Sequence, residues 1–327
     1  MKILFLDTAH PSLKKELEKI GITCEEDYTS SKSEIEKRLS SYNGIVLRSR
    51  ISIDKQFIDR LTPPKESSRT DPSPRGEGSV LRFIARVGAG MEHIDLAYAE
   101  SKGITCLSSP EGNRNAVAEH ALGMLLSLLN NISKANAEVK NGQWLRESNR
   151  GTELEGKTIG IYGYGNTGSA FAKVLRGFDV KILAYDKYKK EIEDIHGSSP
   201  EEIFAEADVL SLHLPLTDET KYLVNDSFIK KFKKNIYLIN TSRGPIVNTA
   251  DLVKNLQSGK ILGACLDVLE YEETSFETMS PSGTDAADLK YLQSSNKVVM
   301  TPHIAGWSFE SSEKMARILA EKIKGLK

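Results

Sequence analysis

Cysteine is scarce in this chain: Cys24, Cys106 and Cys265 are the only three thiols in 327 residues. They are odd in number, widely separated and set in or beside apolar runs, which excludes a disulfide framework and the paired spacing of a structural metal site. Charge of one sign is missing too. Lys and Arg number 44 against 45 Asp and Glu, a formal net charge of −1, so there is no basic field for nucleic acid or a membrane surface. Long apolar runs are also absent. The opening MKILFLD turns polar at Asp7, well short of a signal-peptide core, and the longest membrane-like run, Ala121 to Leu129, is too short to span. These absences together imply a cytoplasmic protein. The six histidines show no pairing that suggests a metal, and no internal repeat is evident.

What is present is a soluble globular profile, 39% hydrophobic and 27% charged, in a chain long enough for two ordinary cores. Short apolar runs recur: Ile3–Leu6, Gly44–Leu47, Phe83–Val87, Thr158–Tyr162, Val180–Ala184, Val209–Leu212, Ile236–Ile239, Ile261–Leu266 and Val298–Met300. They alternate with stretches of helical period, which predicts βαβ units, parallel sheets covered on both faces and an α/β class. Asn115 to Lys140 is predicted as one long helix that is apolar on nearly all sides. Such a helix must be buried all round, either inside the monomer or against a second subunit. Thr62 to Val80 holds four of the eleven prolines without apolar periodicity and reads as a solvated loop; Glu270 to Ala287 is similarly polar and acidic.

The richest segment is TIGIYGYGNTG, Thr158 to Gly168, where an apolar run leads directly into Gly163-x-Gly165-x-x-Gly168. That order fits a strand, a tight turn and a helix start, with free N–H groups facing an anion. Gly163 permits the turn, Gly165 lets the backbone approach a pyrophosphate, and Gly168 lets the helix pack close to the strand. A second apolar run closes on Asp186, placed for a carboxylate to accept hydrogen bonds from an adenosine ribose. A carboxylate there repels a 2′-phosphate, so NAD is favoured over NADP. The cofactor-binding set is therefore Gly163, Tyr164, Gly165, Asn166, Thr167, Gly168 and Asp186. Because the fingerprint begins only at residue 158, a first domain precedes the nucleotide domain.

Three later segments carry polar residues at strand ends, where ligands sit in open parallel sheets. IYLINTSRG places Thr241, Ser242 and Arg243 beyond one run, ILGACLDVLEYE places Asp267 and Glu272 beyond another, and VVMTPHIAG places His303 beyond a third. An arginine, a carboxylate and a histidine can thus converge beside a nicotinamide. Arg243 offers a planar fork for a substrate carboxylate. His303 can give a proton to a keto oxygen as hydride reaches carbon and take one in reverse. Glu272, within reach of the ring, would fix its tautomer. Plainer alternatives stand beside each: Arg243 capping a strand turn, Glu272 in a solvated loop, His303 satisfied within its loop. His120 reads as a helix residue, His196 as a surface one, and His213, in LHLPLT with Pro215, as lining the cofactor cleft without doing chemistry.

These motifs, in the order VLRSR, RVGAGMEHID, NAVAEH, GYGNTG, LHLPLT, NTSRG, CLDVLEYE and TPHIAG, resemble the D-isomer-specific 2-hydroxyacid dehydrogenase family over nearly the whole chain. The resemblance implies two doubly wound parallel-sheet domains, a Rossmann NAD-binding domain (104–302) inserted into a flavodoxin-like substrate domain (1–103 and 303–327). It implies a dimerisation helix near 115–140, and hence a homodimer. It implies Arg243 as carboxylate anchor, His303 as acid/base, Glu272 as its partner and Asp267 near the nicotinamide carboxamide, with Thr241, Ser242, His213 and Pro215 also on the cofactor. Gly88, Ala89 and Gly90 would present backbone N–H groups to the substrate carboxylate, and Arg48, Ser49 and Arg50 would approach its distal end. His93, where the family usually has Asn, departs from the pattern, and 62–80 has no family counterpart. VLRSR most resembles the 3-phosphoglycerate dehydrogenase subgroup. Glyoxylate or hydroxypyruvate reduction is the rival activity, and an NAD-sensing corepressor-like binding protein the alternative of another class.

Overall fold

The computed structural model describes residues 1–61, 81–189, 192, 195–272 and 284–326. The segments 62–80 and 273–283, both read from sequence as polar loops, lie outside the described residues. The chain divides into two compact units, Met1–Asn113 with Ser308–Lys327, and Arg114–Trp307. The divisions fall at 113/114 and 307/308 instead of 103/104 and 302/303. The first shift follows from the strand Thr105–Leu107, which pairs into the first unit's sheet. The second leaves His303 with the larger unit.

The first unit holds strands β1 (Lys2–Phe5), β2 (Thr23–Glu26), β3 (Gly44–Leu47), β4 (Phe83–Arg86) and β5 (Thr105–Leu107), and helices α1 (Pro11–Lys19), α2 (Lys32–Arg38), α3 (Lys55–Leu61) and α4 (Leu96–Ser101). Its sheet is parallel with order β2-β1-β3-β4-β5, the flavodoxin-like doubly wound order. Along each strand, alternate residues feed opposite cores. Ile3, Phe5, Val46, Phe83 and Ala85 pack on one face, and Leu4, Ile45, Leu47 and Ile84 on the other, which is why these strands read as continuous apolar runs.

The chain leaves this unit within α5 (Pro110–Leu129). Next come α6 (Ile132–Lys140), β6 (Thr158–Tyr162), α7 (Asn166–Leu175), β7 (Lys181–Tyr185), β8 (His196–Gly197), α8 (Pro200–Glu206), β9 (Val209–Leu212), α9 (Asp226–Ile229), β10 (Ile236–Asn240), α10 (Thr249–Ser258), β11 (Ile261–Leu266), α11 (Thr284–Ser294) and β12 (Val298–Met300). Finally α12 (Phe309–Lys324) returns to the first unit, where Ala316, Leu319, Ala320 and Ile323 join its core. The second sheet is parallel in the order β12-β11-β10-β9-β6-β7-β8. Strand order reverses between β6 and β9, the Rossmann switch point. Its two faces are filled in the same alternating way, Leu238 and Leu266 on one side, Ile239 and Cys265 on the other.

The single helix expected over 115–140 is two helices. The break falls at Asn130 and Asn131, where Asn131 has φ 52, a left-handed value that asparagine tolerates better than most residues. Along α5, Glu119 and Gly123 are exposed while Ala121, Met124, Leu125 and Leu128 join the core of the second unit. The polar stretch read as a loop through Ala287 already enters α11 at Thr284. Among the described residues no helix is long and apolar enough to cross a membrane.

Candidate active site

One row of residues crosses the second sheet in register: Tyr185, Tyr162, Leu212, Asn240, Leu266 and Met300. It is the C-terminal row of β7, β6, β9, β10, β11 and β12. The next residue in each chain is Asp186, Gly163, His213, Thr241, Asp267 or Thr301. Strands in a sheet are about 4.8 Å apart, so parallel pairing brings these sequence-distant loops to one edge.

At the switch point, Gly163 has φ +97, and a Cβ there would come within 2.3 Å of the His213 carbonyl oxygen. A Cβ on Gly168 would lie 2.1 Å from the Gly163 carbonyl oxygen, so α7 rests directly on the turn. Gly165, the N-cap of α7, has no side-chain cap, and a Cβ there would meet nothing within 4 Å. The first turn, starting at Asn166 and Thr167, therefore begins without a side-chain cap and beside the open space at Gly165, a cradle suited to a pyrophosphate. Asp186 is fixed against this loop: Oδ2 accepts the Tyr164 backbone N–H at 2.8 Å, and Oδ1 accepts those of Tyr188 and Lys189 at 2.9 and 3.1 Å. The Tyr164 ring itself is buried in the core.

The His213 ring, read from sequence as lining the cofactor cleft, lies below the surface, with Nδ1 buried and without a hydrogen-bond partner among the described residues. The imidazole is buried, 5.4 Å from Phe171 between ring centres, with Nε2 2.8 Å from Ser211 Oγ, and burial pushes its pKa down to about 3. Its contribution to the loop is the carbonyl behind Gly163. Pro215 lies exposed just beyond, its carbonyl accepting the Thr220 hydroxyl. Ser242 staples the neighbouring loops, donating to the Leu212 carbonyl at 2.6 Å and accepting the Leu214 N–H at 3.1 Å. Thr241 Oγ1 is buried with no hydrogen-bond partner, an orphan polar atom at the edge where a nucleotide would lie.

Arg243 leaves β10 three residues past the row, partly buried, with Nη1 donating to the Ser242 carbonyl at 2.6 Å. Glu272 and His303 meet. His303 Nδ1 lies 2.7 Å from Glu272 Oε2, and Glu272 Oε1 accepts the Leu269 N–H, so both carboxylate oxygens are held. His303 is left-handed, φ 55, an uncommon state for a residue with a side chain. Its turn is tied down by Asp267, only 1% exposed. The Asp267 carbonyl accepts the His303 N–H at 2.7 Å, Oδ1 the Ile304 N–H at 2.9 Å and Oδ2 the Ala305 N–H at 2.8 Å. Read from sequence as a cofactor contact, Asp267 stands in the structure as the anchor of the histidine turn. Among the described residues no group of three or more His, Cys, Asp or Glu could hold a metal ion.

In the first unit, the loop after β4 carries Val87 to Gly90. Arg86, which the sequence reading passed over, folds across it: Nη1 lies where a Cβ on Gly88 would come within 2.4 Å, and Nε donates to the Arg48 carbonyl at 3.2 Å. An arginine closing the otherwise apolar strand FIAR was the available signal. Ala89, Gly90 and Ser49 are partly buried on the loops that follow β4 and β3. Arg50 is occupied elsewhere, donating to the carbonyls of Leu6, Ser30 and Asp27 at 2.8, 2.7 and 2.9 Å. It is a strut between loops, which corrects its reading as a group approaching the substrate. His93 is buried, and its carbonyl accepts the Ile53 N–H.

Residues 122–305, more than half the chain, match the family model for the NAD binding domain of D-isomer specific 2-hydroxyacid dehydrogenases. A hydroxypyruvate reductase of Thermotoga maritima is 33% identical over 319 residues, covering 97% of this chain and 94% of the relative. A D-3-phosphoglycerate dehydrogenase of Synechocystis is 34% identical over 298 residues, covering 90% of this chain but only 48% of that longer protein. Among solved structures, the D-lactate dehydrogenase of Aquifex aeolicus, complexed with NAD and lactic acid, superposes with a TM-score of 0.78 at 26% identity, covering 100% of this chain and 95% of that one.

Proposed function

Since the chain belongs to the D-isomer specific 2-hydroxyacid dehydrogenases, a family of NAD-dependent oxidoreductases, we propose that it interconverts a 2-keto acid and a D-2-hydroxy acid with His303 as proton carrier, Glu272 as its orienting partner and Arg243 as the carboxylate anchor. The observation that carries this reading is the 2.7 Å contact between His303 Nδ1 and Glu272 Oε2, on the sheet edge that also bears Arg243. The uncapped α7 N-terminus, the open space at Gly165 and the orphan Thr241 hydroxyl fit a dinucleotide. When bound, NADH supplies the hydride and NAD accepts it. With Nδ1 committed to Glu272, proton exchange with substrate falls to His303 Nε2, which protonates the carbonyl oxygen during reduction and takes the hydroxyl proton in the reverse direction. The Arg243 fork fixes the substrate carboxylate and with it the carbonyl next to it. Tyr164, Asn166, Thr167 and Asp186 are assigned to the cofactor, with Thr241.

For the substrate, we favour a keto acid with a second anionic end, such as 3-phosphohydroxypyruvate. In the first unit taken by itself, Arg48 and Arg86 sit at one sheet edge beside the Gly88, Ala89 and Gly90 amides, a cationic setting for an anion. Hydroxypyruvate or glyoxylate is the second reading, favoured by the loss of Arg50 to its strut and by 94% coverage of the Thermotoga reductase. The test is NADH oxidation with phosphohydroxypyruvate, hydroxypyruvate, glyoxylate, pyruvate and 2-oxoglutarate, ranked by kcat/KM. Preference for the phosphorylated acid supports the first reading, preference for hydroxypyruvate or glyoxylate the second, and activity on none favours an NAD-sensing role.

We also assign a homodimer. Helix α6 buries no residue within its chain, and Ile132, Val139, Trp144 and Leu145 are 50 to 78% exposed, a patch that a second copy would cover. The three free thiols suit a reducing, cytoplasmic setting.

A further inference from the structure

An imidazole outside the reaction scheme sits at the other end of the turn that carries His303. His120, on α5, places Nε2 2.9 Å from Thr301 Oγ1, and Thr301 Oγ1 donates to Asp267 Oδ1 at 2.6 Å. The direction of this chain is set by its last member. Asp267 already receives two backbone N–H groups on its carboxylate and acts as acceptor, so the hydroxyl proton points to it. The Met124 thioether, 3.7 Å from the hydroxyl, is a weaker acceptor than the carboxylate. Thr301 must therefore receive a proton from His120, which makes Nε2 the N–H nitrogen of that ring. His120 Nε2 also lies 3.6 Å from Asp267 Oδ1, so any positive charge on the ring is next to the buried carboxylate.

Asp267 is the residue that collects three consecutive backbone N–H groups, those of His303, Ile304 and Ala305, and so holds His303 in its left-handed conformation. A buried carboxylate free to rotate would exchange those partners. Among the described residues, the Thr301 hydroxyl is the side chain that donates a hydrogen bond to Oδ1, and His120 is what aims it. We propose that His120 is a positioning residue for the proton carrier, acting through Thr301 and Asp267 to fix the turn that bears His303. The proposal rests on the assignment of His303 made above.

The test compares His120→Leu and His120→Gln with Thr301→Val and Thr301→Ser, using the full chain with NADH and its best keto acid. His120→Leu is expected to lower kcat roughly ten- to a hundredfold, since small misplacements remote from the chemistry have effects of that size, while the substrate KM and the NADH Kd stay within about twofold. Gln, whose amide can donate in place of Nε2–H, is expected to restore most of the rate, as Ser is at position 301. The double variant His120→Leu/Thr301→Val is expected to be no slower than Thr301→Val alone, because both act on one chain. In the unliganded protein, the Nδ1 proton resonance of His303 is expected to broaden in His120→Leu.

A kcat unchanged in folded His120→Leu, or additive losses in the double variant, overturns the proposal. If His120→Leu fails to fold, Thr301→Val against Thr301→Ser decides it by the same readouts: a Val loss rescued by Ser supports it, and equal rates overturn it. His303→Gln separates the two layers. Full turnover in that variant sinks the functional reading itself, whereas a collapse there beside a wild-type rate in His120→Leu sinks only the positioning role.

Discussion

Asp186 accepts the backbone N–H of Tyr164 at 2.8 Å, so the carboxylate that ends β7 and the glycine loop that ends β6 form one fixed unit. A rigid carboxylate at that position discriminates by repulsion as well as by attraction. Asp186→Ser is expected to narrow the preference for NADH over NADPH by at least about tenfold, equivalent to ~1.4 kcal/mol. The measurement is kcat/KM for both cofactors with one keto acid. An unchanged ratio would remove Asp186 from cofactor selection.

Arg243 is expected to act on the substrate and not on the cofactor. Arg243→Lys keeps the charge but loses the bidentate fork, so the keto-acid KM is expected to rise roughly tenfold or more while NADH affinity stays put. Steady-state kinetics beside a fluorescence titration of NADH check this. Equal weakening of both ligands would contradict the assignment.

His213 gives a pH signature to stability. Burial holds its pKa down to about 3 from an ordinary 6.5, so the folded state resists taking a proton that the unfolded chain accepts. The sign follows: this contribution is fully present above pH 6.5 and is lost as pH falls from there toward 3, at up to about 1.4 kcal/mol per pH unit. His213→Gln, neutral throughout, is expected to show a flatter acid limb in urea unfolding followed between pH 7 and 4. Superimposable pH profiles for the two proteins would contradict it.

The exposed residues of the 132–145 segment make the assembly testable. Light scattering on the eluted protein is expected to give the mass of two chains, and Val139→Glu or Trp144→Glu to shift it toward one, since a charge buried at an interface without a partner costs several kcal/mol. A wild-type monomer would end the dimer assignment.

The central strands were legible because parallel sheets covered on both faces leave near-continuous apolar runs such as TIGIY in β6 or VLSL in β9. The strands that escaped notice are edges. β2 reads TCEE and is partly exposed, β5 is the short TCL, and β8 is a two-residue bridge at the end of its sheet. An edge strand pairs on one side only and needs no apolar run. Helix α5 and α6 merged in the sequence because their break lies in backbone dihedrals at Asn131, not in hydrophobic period. Gly163, Asp186, Arg243, Glu272 and His303 were visible because each follows an apolar run directly or shares a compact motif with one. The supporting roles of Asp267 and His120 were not. His120 and Thr301 are 181 residues apart, and they meet because α5 packs on the face of the sheet that holds Cys265 and Val299.

The most direct measurement is pre-steady-state NADH oxidation by His303→Gln with the best keto acid, beside the NADH Kd of the same variant. The expected result is a fall of about 10²- to 10⁴-fold in the rate of the chemical step, the usual contribution of a positioned proton donor, with cofactor affinity unchanged. A rate within a few-fold of wild type would contradict the claim that the histidine held by Glu272 carries the proton.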